Sequence, residues 1–143
     1  MTTVQQVFDT AIMLMDEQSE STGKTVTTDT SEYRYRTLSI LNVLLPQLYP
    51  YSDTYDNTQP GRPLCPPLVL PQNATQPDFT QPVPLDDGLC WAVLPYGLAA
   101  HLLASENESL SAWFRNRYEL SLVELRNKIP ASFKPIYNPY GFF

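Results

Sequence analysis

The chain is 143 residues long, a single domain, 1–143, at roughly 100–200 residues per domain. Its 43% hydrophobic content is enough to fill a core without disulfide or metal staples. Nine Lys and Arg against fifteen Asp and Glu leave a net charge of −6, which argues against nonspecific nucleic-acid binding. A single His and two Cys exclude a multi-His or four-Cys metal centre within one chain and leave His101 as the sole route to a Ser-His-Asp site.

Val4, Val7, Phe8, Ala11, Ile12, Leu14 and Met15 recur at helical spacing and predict an amphipathic helix from Val4 to about Gln18. Thr2 or Thr3 can cap its start. Asp16, Glu17 and Glu20 stand at its end, where the helix dipole disfavours carboxylates, so fraying is expected there. Met1 to Gln6 carry no basic n-region and do not read as a secretory signal. The most apolar run, Leu89 to Ala104, is too short to span a bilayer. The expectation is a soluble protein made in a reducing cytosol, with no membrane contact. Cys65 and Cys90 are then free thiols, and Asn73-Ala74-Thr75 is a chance match to a glycosylation acceptor.

After an exposed connection at Ser21 to Thr25, a second helix is predicted from Thr30 or Ser31, capped by Asp29 or Thr30, with Glu32 in its first turn. Leu38, Leu41, Leu45 and Leu48 repeat beside Ile40 and Leu44, which is more than one surface stripe. The helix is therefore buried on two sides or meets a neighbour. Pro46 is expected to kink it or end it near Leu45.

The stretch 56–84 holds eight prolines, at 60, 63, 66, 67, 71, 77, 82 and 84. No helix fits, and central strands do not tolerate proline at this density. Leu68-Val69-Leu70 and Phe79-Thr80 could form the short edge strands of a β-hairpin. The insert is charge-poor and carries Leu64, Leu68, Val69, Leu70, Phe79 and Val83, so at least part of it is expected to be ordered, on its own or against a partner.

Leu85-Asp86-Asp87 opens a third helix as an N-cap with acidic residues at the positive end of the dipole. Pro95 and Gly97 inside the run predict a kink, and Ala92, Gly97, Ala99 and Ala100 would let another helix approach closely. After a break at Ser105 to Asn107, a fourth helix is predicted from Glu108 to about Lys128. Trp113, Phe114, Arg117, Tyr118, Leu122 and Leu125 are its inward stripe, and Pro130 stops it. The tail, 129–143, carries five aromatics from Phe133 to Phe143 with one charged side chain, a composition that must pack on something. The predicted class is all-α, a four-helix core with the long Pro-rich insert between helices 2 and 3 and an extended aromatic C-terminal tail. Its expected core includes Leu38, Leu41, Leu45, Ala92, Tyr96, Trp113, Phe114 and Tyr118.

No constellation suggests catalysis. His101 has no nucleophile or orienting carboxylate nearby in sequence, and cap placement accounts for Asp86 and Asp87. Cys90 lies near a helix N-terminus, which can activate a thiol, although a buried inert cysteine is the better reading. Arg34, Arg36, Arg115 and Arg117 stand beside aromatics, a pattern that can stack on single-stranded nucleic acid. In an acidic chain they are expected to pair with Glu32, Glu119 or a partner. What remains is a helical body with two apolar extensions, best explained by repeated subunit contact; head-to-tail contacts close into rings when the rotation allows.

Three stretches resemble the head–tail connector (adaptor) proteins of tailed bacteriophages and prophages. Val4-Gln5-Gln6-Val7-Phe8-Asp9, with Ala11 and Met13-Leu14-Met15-Asp16-Glu17, is similar to their opening helix. Glu32-Tyr33-Arg34-Tyr35-Arg36, with Ile40-Leu41-Asn42 and Leu48-Tyr49-Pro50-Tyr51-Ser52-Asp53, resembles their second. Pro84-Leu85-Asp86-Asp87, with Val93-Leu94-Pro95-Tyr96-Gly97-Leu98-Ala99-Ala100 and Phe114-Arg115-Asn116-Arg117-Tyr118-Glu119, resembles their final pair. The resemblance implies a structural virion protein, not an enzyme and without a cofactor, that docks under the portal and joins head to tail as a ring of subunits, about twelvefold. It is compatible with a monomer in isolation. The implied partners are the portal protein, neighbouring subunits and a tail-completion protein, with passive contact to packaged DNA; an acidic lumen lets DNA slide. The place is the head–tail junction of the virion, after synthesis in the bacterial host cytoplasm. The long insert departs from the shorter connectors. The expected contact residues are Leu64, Leu68, Val69, Leu70 and Phe79 in the insert and Phe133, Ile136, Tyr137, Tyr140, Phe142 and Phe143 in the tail. The alternatives are a tail-completion or other phage-encoded protein-binding module, and an enzyme using His101 with Asp86 or Cys90.

Overall fold

The computed structural model describes residues 1–17, 20–55, 64–72 and 75–132, with backbone alone for 128–132. Helices are the only regular elements among the described residues, which hold no strand. Helix α1 spans Val4–Leu14, α2 Ser31–Leu48, a 3-10 turn Tyr49–Tyr51, α3 Asp87–Ala92, α4 Leu94–Leu102 and α5 Glu108–Ser132. The expected third helix breaks at Val93 (φ −121°, ψ −50°) because Pro95 occupies the first turn of α4. Thus α3 and α4 together fill the place of one helix in the four-helix plan.

Helix α4 is the centre of the bundle and touches α1, α2, α3 and α5. Its sequence permits this, because Leu94, Leu98, Ala99 and Leu102 are fully buried. Each leucine contributes about 1.5–3 kcal/mol relative to exposure. Gly97 lets α2 and α5 come close, as its neighbours Leu44 and Tyr118 leave no room for a Cβ. Ser111 ties α5 to α4 by donating to the Ala100 carbonyl at 2.7 Å.

Helix α1 begins as expected. Thr3 and Gln6 form a reciprocal capping box. The helix stops at Leu14, four residues early, in a left-handed turn at Asp16 (φ 59°). Glu17 N–H donates to the Ile12 carbonyl at 3.1 Å and Asp16 N–H to the Met13 carbonyl at 3.2 Å. These paired bonds satisfy the last carbonyls and override the dipole.

Two prolines do not stop their helices. Helix α2 runs through Pro46 to Leu48, and α5 runs through Pro130 to Ser132. Pro46 stands in the last turn of α2, where it removes one intrahelical bond, and Leu44, Leu45 and Leu48 around it are buried. The core also differs from expectation in two places. Ala92 is exposed and Trp113 is 53% exposed, while Leu38, Leu41, Leu45, Phe114 and Tyr118 are buried and Tyr96 is half-buried. Phe114 and Tyr118, four apart, define the inward face of α5; Trp113 lies about 100° away from Phe114.

The β-hairpin that the insert could have formed is not seen among the described residues, where side chains do the pairing. Asn42 of α2 brackets Leu68: its Oδ1 accepts from Leu68 N–H at 2.8 Å and its Nδ2 donates to the Leu68 carbonyl at 3.1 Å. Gln81 does the same for Val69, at 2.7 and 2.9 Å. The returning arm pairs instead with the start of the chain. Thr3 and Pro82 form an antiparallel bridge, Val83 N–H donates to the Thr2 carbonyl at 2.8 Å, and Gln5 N–H donates to the Phe79 carbonyl at 2.9 Å.

Candidate functional site

The expected contact residues of the insert divide by burial. Leu68 (5% exposed) and Phe79 (4%) belong to the monomer's own core, not to a partner surface. The Phe79 ring meets Phe8 edge-on, centroids 5.2 Å apart, and the Arg34 guanidinium lies 4.3 Å from its centroid. Leu68 is turned inward by the Asn42 clamp. Leu64 (89%), Val69 (72%) and Leu70 (45%) face solvent on the same strap. Phe133, Ile136, Tyr137, Tyr140, Phe142 and Phe143 lie outside the described residues, as do 56–63 of the insert.

Further exposed apolar groups line α5: Trp113, Leu120 and Val123. An open groove of about 610 Å³ runs between the C-terminal half of α2, the end of α4 and the flank of α5 that carries Val123. Leu44 and Tyr118 are buried at its base, and Leu122 and Val123 form an apolar wall. Tyr118 donates its hydroxyl to Gln47 Oε1 at 2.7 Å. Burial pushes its phenol up to about 12, so it stays a neutral donor. His101, Arg115 and Arg126 stand at the rim with Glu119. Arg126 Nε donates to the Tyr51 hydroxyl at 3.3 Å.

The residues weighed for chemistry have other placements. His101 is exposed in the last turn of α4. Asp86 is the N-cap of α3: it accepts from Leu89 N–H at 3.0 Å and, through its second oxygen, from Asp53 N–H at 3.0 Å. Asp87 accepts from Thr2 Oγ1 at 2.7 Å and Thr2 N at 3.0 Å, and these bonds hold its carboxyl below the usual range. Cys90 is fully buried, and desolvation pushes its thiol up to about 12; the Sγ donates to the Leu85 carbonyl at 3.8 Å. That is the inert cysteine, not the activated one. Cys65 and Cys90 are both free. Among the described residues no group of three His, Cys, Asp or Glu could hold a metal ion, and no helix is long and apolar enough to cross a membrane.

Arg34, Arg36 and Arg117 pair or stack within the fold, and Arg36 does both, lying 5.7 Å from the Tyr33 centroid. Arg36 reaches Glu32 at 4.0 Å and donates to the Leu102 carbonyl at 3.1 Å. Arg34 lies over Phe8 and Phe79 and donates to Gln5 Oε1 at 3.2 Å. Arg117 sits 5.7 Å from the Tyr96 centroid and 6.0 Å from that of Trp113. Arg115 makes no side-chain hydrogen bond, ion pair or ring contact with any described residue, and neither does Glu119, the partner the sequence suggested. At the opposite end of α1, Glu17 meets the fields of Glu106, Asp16 and Asp29, and Tyr33 donates its hydroxyl to Glu106 Oε2.

The sequence reading missed Asn42 and Gln81 as clamps and the α2–α5 groove. Asn42 carried a signal, a lone amide inside Ile40-Leu41-Asn42-Val43-Leu44, where a polar group needs a partner. The groove carried none, since its two walls are some seventy residues apart, Gln47 against Tyr118. No family model, curated protein or solved structure matches the chain.

Proposed function

We propose that the chain is a structural subunit of a phage head–tail junction, assembling as a ring, about twelvefold, beneath the portal. The reading rests on the resemblance of the three helical stretches. The observation that carries it here is the apolar surface left open on the helical body and strap: Leu64, Val69, Leu70, Trp113, Leu120 and Val123. Exposed large apolar side chains on both the strap and α5, Val123 among them in the groove wall, suit surfaces that other protein chains cover. The net charge of −6 suits a lumen through which DNA slides. In this reading the portal protein lies on one side, a tail-completion protein on the other, and neighbouring copies between them. The subunit is made in the bacterial cytoplasm and ends in the virion.

The test is co-sedimentation of the full chain with assembled portal, followed by electron microscopy of the pelleted complex. Rings of this chain under the portal are expected. A chain left in the supernatant at saturating portal overturns the reading. A one-to-one complex with a tail protein, without rings, would favour the binding-module alternative.

A further inference from the structure

We infer that the α2–α5 groove is the receptor for the segment 133–143 of a second copy of this chain. The inference rests on the ring reading and names the contact that links one subunit to the next.

Three observations point to this occupant. The first is chemical fit. The segment Phe133-Lys134-Pro135-Ile136-Tyr137-Asn138-Pro139-Tyr140-Gly141-Phe142-Phe143 offers five aromatic rings and one charge. The groove offers an apolar wall at Leu122 and Val123 beside the cations Arg115 and Arg126. Guanidinium groups attract aromatic faces, and this chain already uses that contact at Arg34–Phe79 and Arg117–Tyr96. Arg115 has no such ring among the described residues, although it lines both the groove and a smaller cleft of about 100 Å³ that shares His101 and Tyr118 with it.

The second is size. A volume of about 610 Å³ falls in the range of sites that enclose an organic ligand, and suits a few aromatic side chains rather than a whole domain.

The third is where α5 ends. Leu125 packs on the core and Arg126 bonds Tyr51. The helix then runs on for six residues to Ser132, about 9 Å along its axis. That direction leads out of the groove. To enter its own groove the segment has to turn back along α5. To reach a neighbour it continues outward, with up to about 36 Å of extended chain in its eleven residues. An arm that leaves one subunit and enters an unlike patch on the next is a heterologous contact, the kind that closes into a ring.

The test uses the full chain with Val123→p-benzoylphenylalanine, an exposed groove position, in a concentrated equal mixture of light and heavy-isotope copies. Irradiation is expected to join residue 123 to peptides from 133–143, with about half of the joined pairs mixing light and heavy, as random partnering of copies requires. Pairs confined to one isotope place the segment in its own groove and overturn the inference. So does the absence of any joined 133–143 peptide. Independently, Val123→Glu is expected to lower the oligomer population by about tenfold or more at equal concentration, with the helical circular dichroism unchanged. An oligomer population equal to wild type overturns the inference, as does a wild-type chain that stays monomeric at every concentration and gives no joined 133–143 peptide when assembled on the portal. Portal co-sedimentation reads the parent proposal separately: rings under the portal from a chain that fails these tests keep the ring and move its interface elsewhere.

Discussion

Gly97 and Tyr118 are in such close contact that a Cβ built on the glycine would lie 2.9 Å from Tyr118 Cε2 and 3.0 Å from its Cδ2. The missing side chain sets the approach of α4 to α5. Tyr118 cannot easily yield, because its hydroxyl is bonded to Gln47 and its ring is buried. Gly97→Ala recovers about 1 kcal/mol of helix propensity and overpacks a crossing at which Leu44 Cδ1 also stands 3.0 Å away. The expected balance is a loss of about 1–3 kcal/mol, read as a lower urea midpoint with unchanged slope. A variant as stable as wild type would show that the ring moves aside.

Asp16 is the one non-glycine with positive φ among the described residues. An L side chain there is strained, and glycine is not. Asp16→Gly is expected to stabilise the fold by about 0.5–1 kcal/mol, since it also removes a carboxylate from the surroundings of Glu17. Thermal denaturation at neutral pH checks this; a lowered midpoint would mean that the aspartate side chain supplies more than its backbone strain removes.

Burial, and after it the carboxylates of Glu106, Asp16 and Asp29, hold Glu17 above its ordinary value of 4.5. The folded chain thus binds this proton more tightly than the unfolded one. The resulting stabilisation is fully present below 4.5 and is lost as pH rises through the raised folded value. Glu17→Gln removes the charge that is uncomfortable at neutral pH. A gain of about 0.5 kcal/mol at pH 7, modest because the site is largely exposed and screened, should shrink towards zero near pH 4. Chemical denaturation at the two pH values decides it, and a gain of equal size at both would assign the effect to something other than ionisation.

Asn42 holds the insert by two hydrogen bonds to one residue, Leu68. Asn42→Ala leaves a backbone N–H and a carbonyl of the strap unpaired, at a cost of about 1–3 kcal/mol. The expected signature is local: faster amide exchange at Leu68 and Val69, with the amides of α4 as protected as before. Uniform acceleration throughout the protein would show that the strap and the bundle open as one unit.

Helix positions were legible because their causes are local. Thr3 with Gln6, and Asp86 before Asp87, are capping signals that need no tertiary context. Helix ends were less legible. The kink or end expected at Pro46 and the stop expected at Pro130 assume that a lost N–H decides the matter, whereas near a terminus one missing bond is outweighed by burial of Leu45 and Leu48 on either side of Pro46. The insert was legible in its irregularity and not in its pairing. Leu68-Val69-Leu70 has the composition of a strand, but its partners are amides at 42 and 81, whose proximity is a product of the whole fold. For the same reason Leu68 and Phe79, apolar residues in a proline-rich stretch, could not be told from outward-facing Val69. In the candidate site, Tyr118 and Leu122 followed from the period of α5, while Gln47 and Arg126 had to wait for the packing of α2 and the 3-10 turn against it.

The union of residues 2–5 with 79–83, and of α1 with α4, has a consequence for how the chain is born. Helix α1 leaves the ribosome about 90 residues before α4, its principal support (α1 begins at Val4 and α4 at Leu94). Until then Val4, Val7, Phe8, Ala11 and Ile12 form a greasy stripe with nothing to cover it. Closure must therefore come late and join distant parts of the chain at once, so this helical protein is expected to fold more slowly than a simple up-and-down bundle of its size.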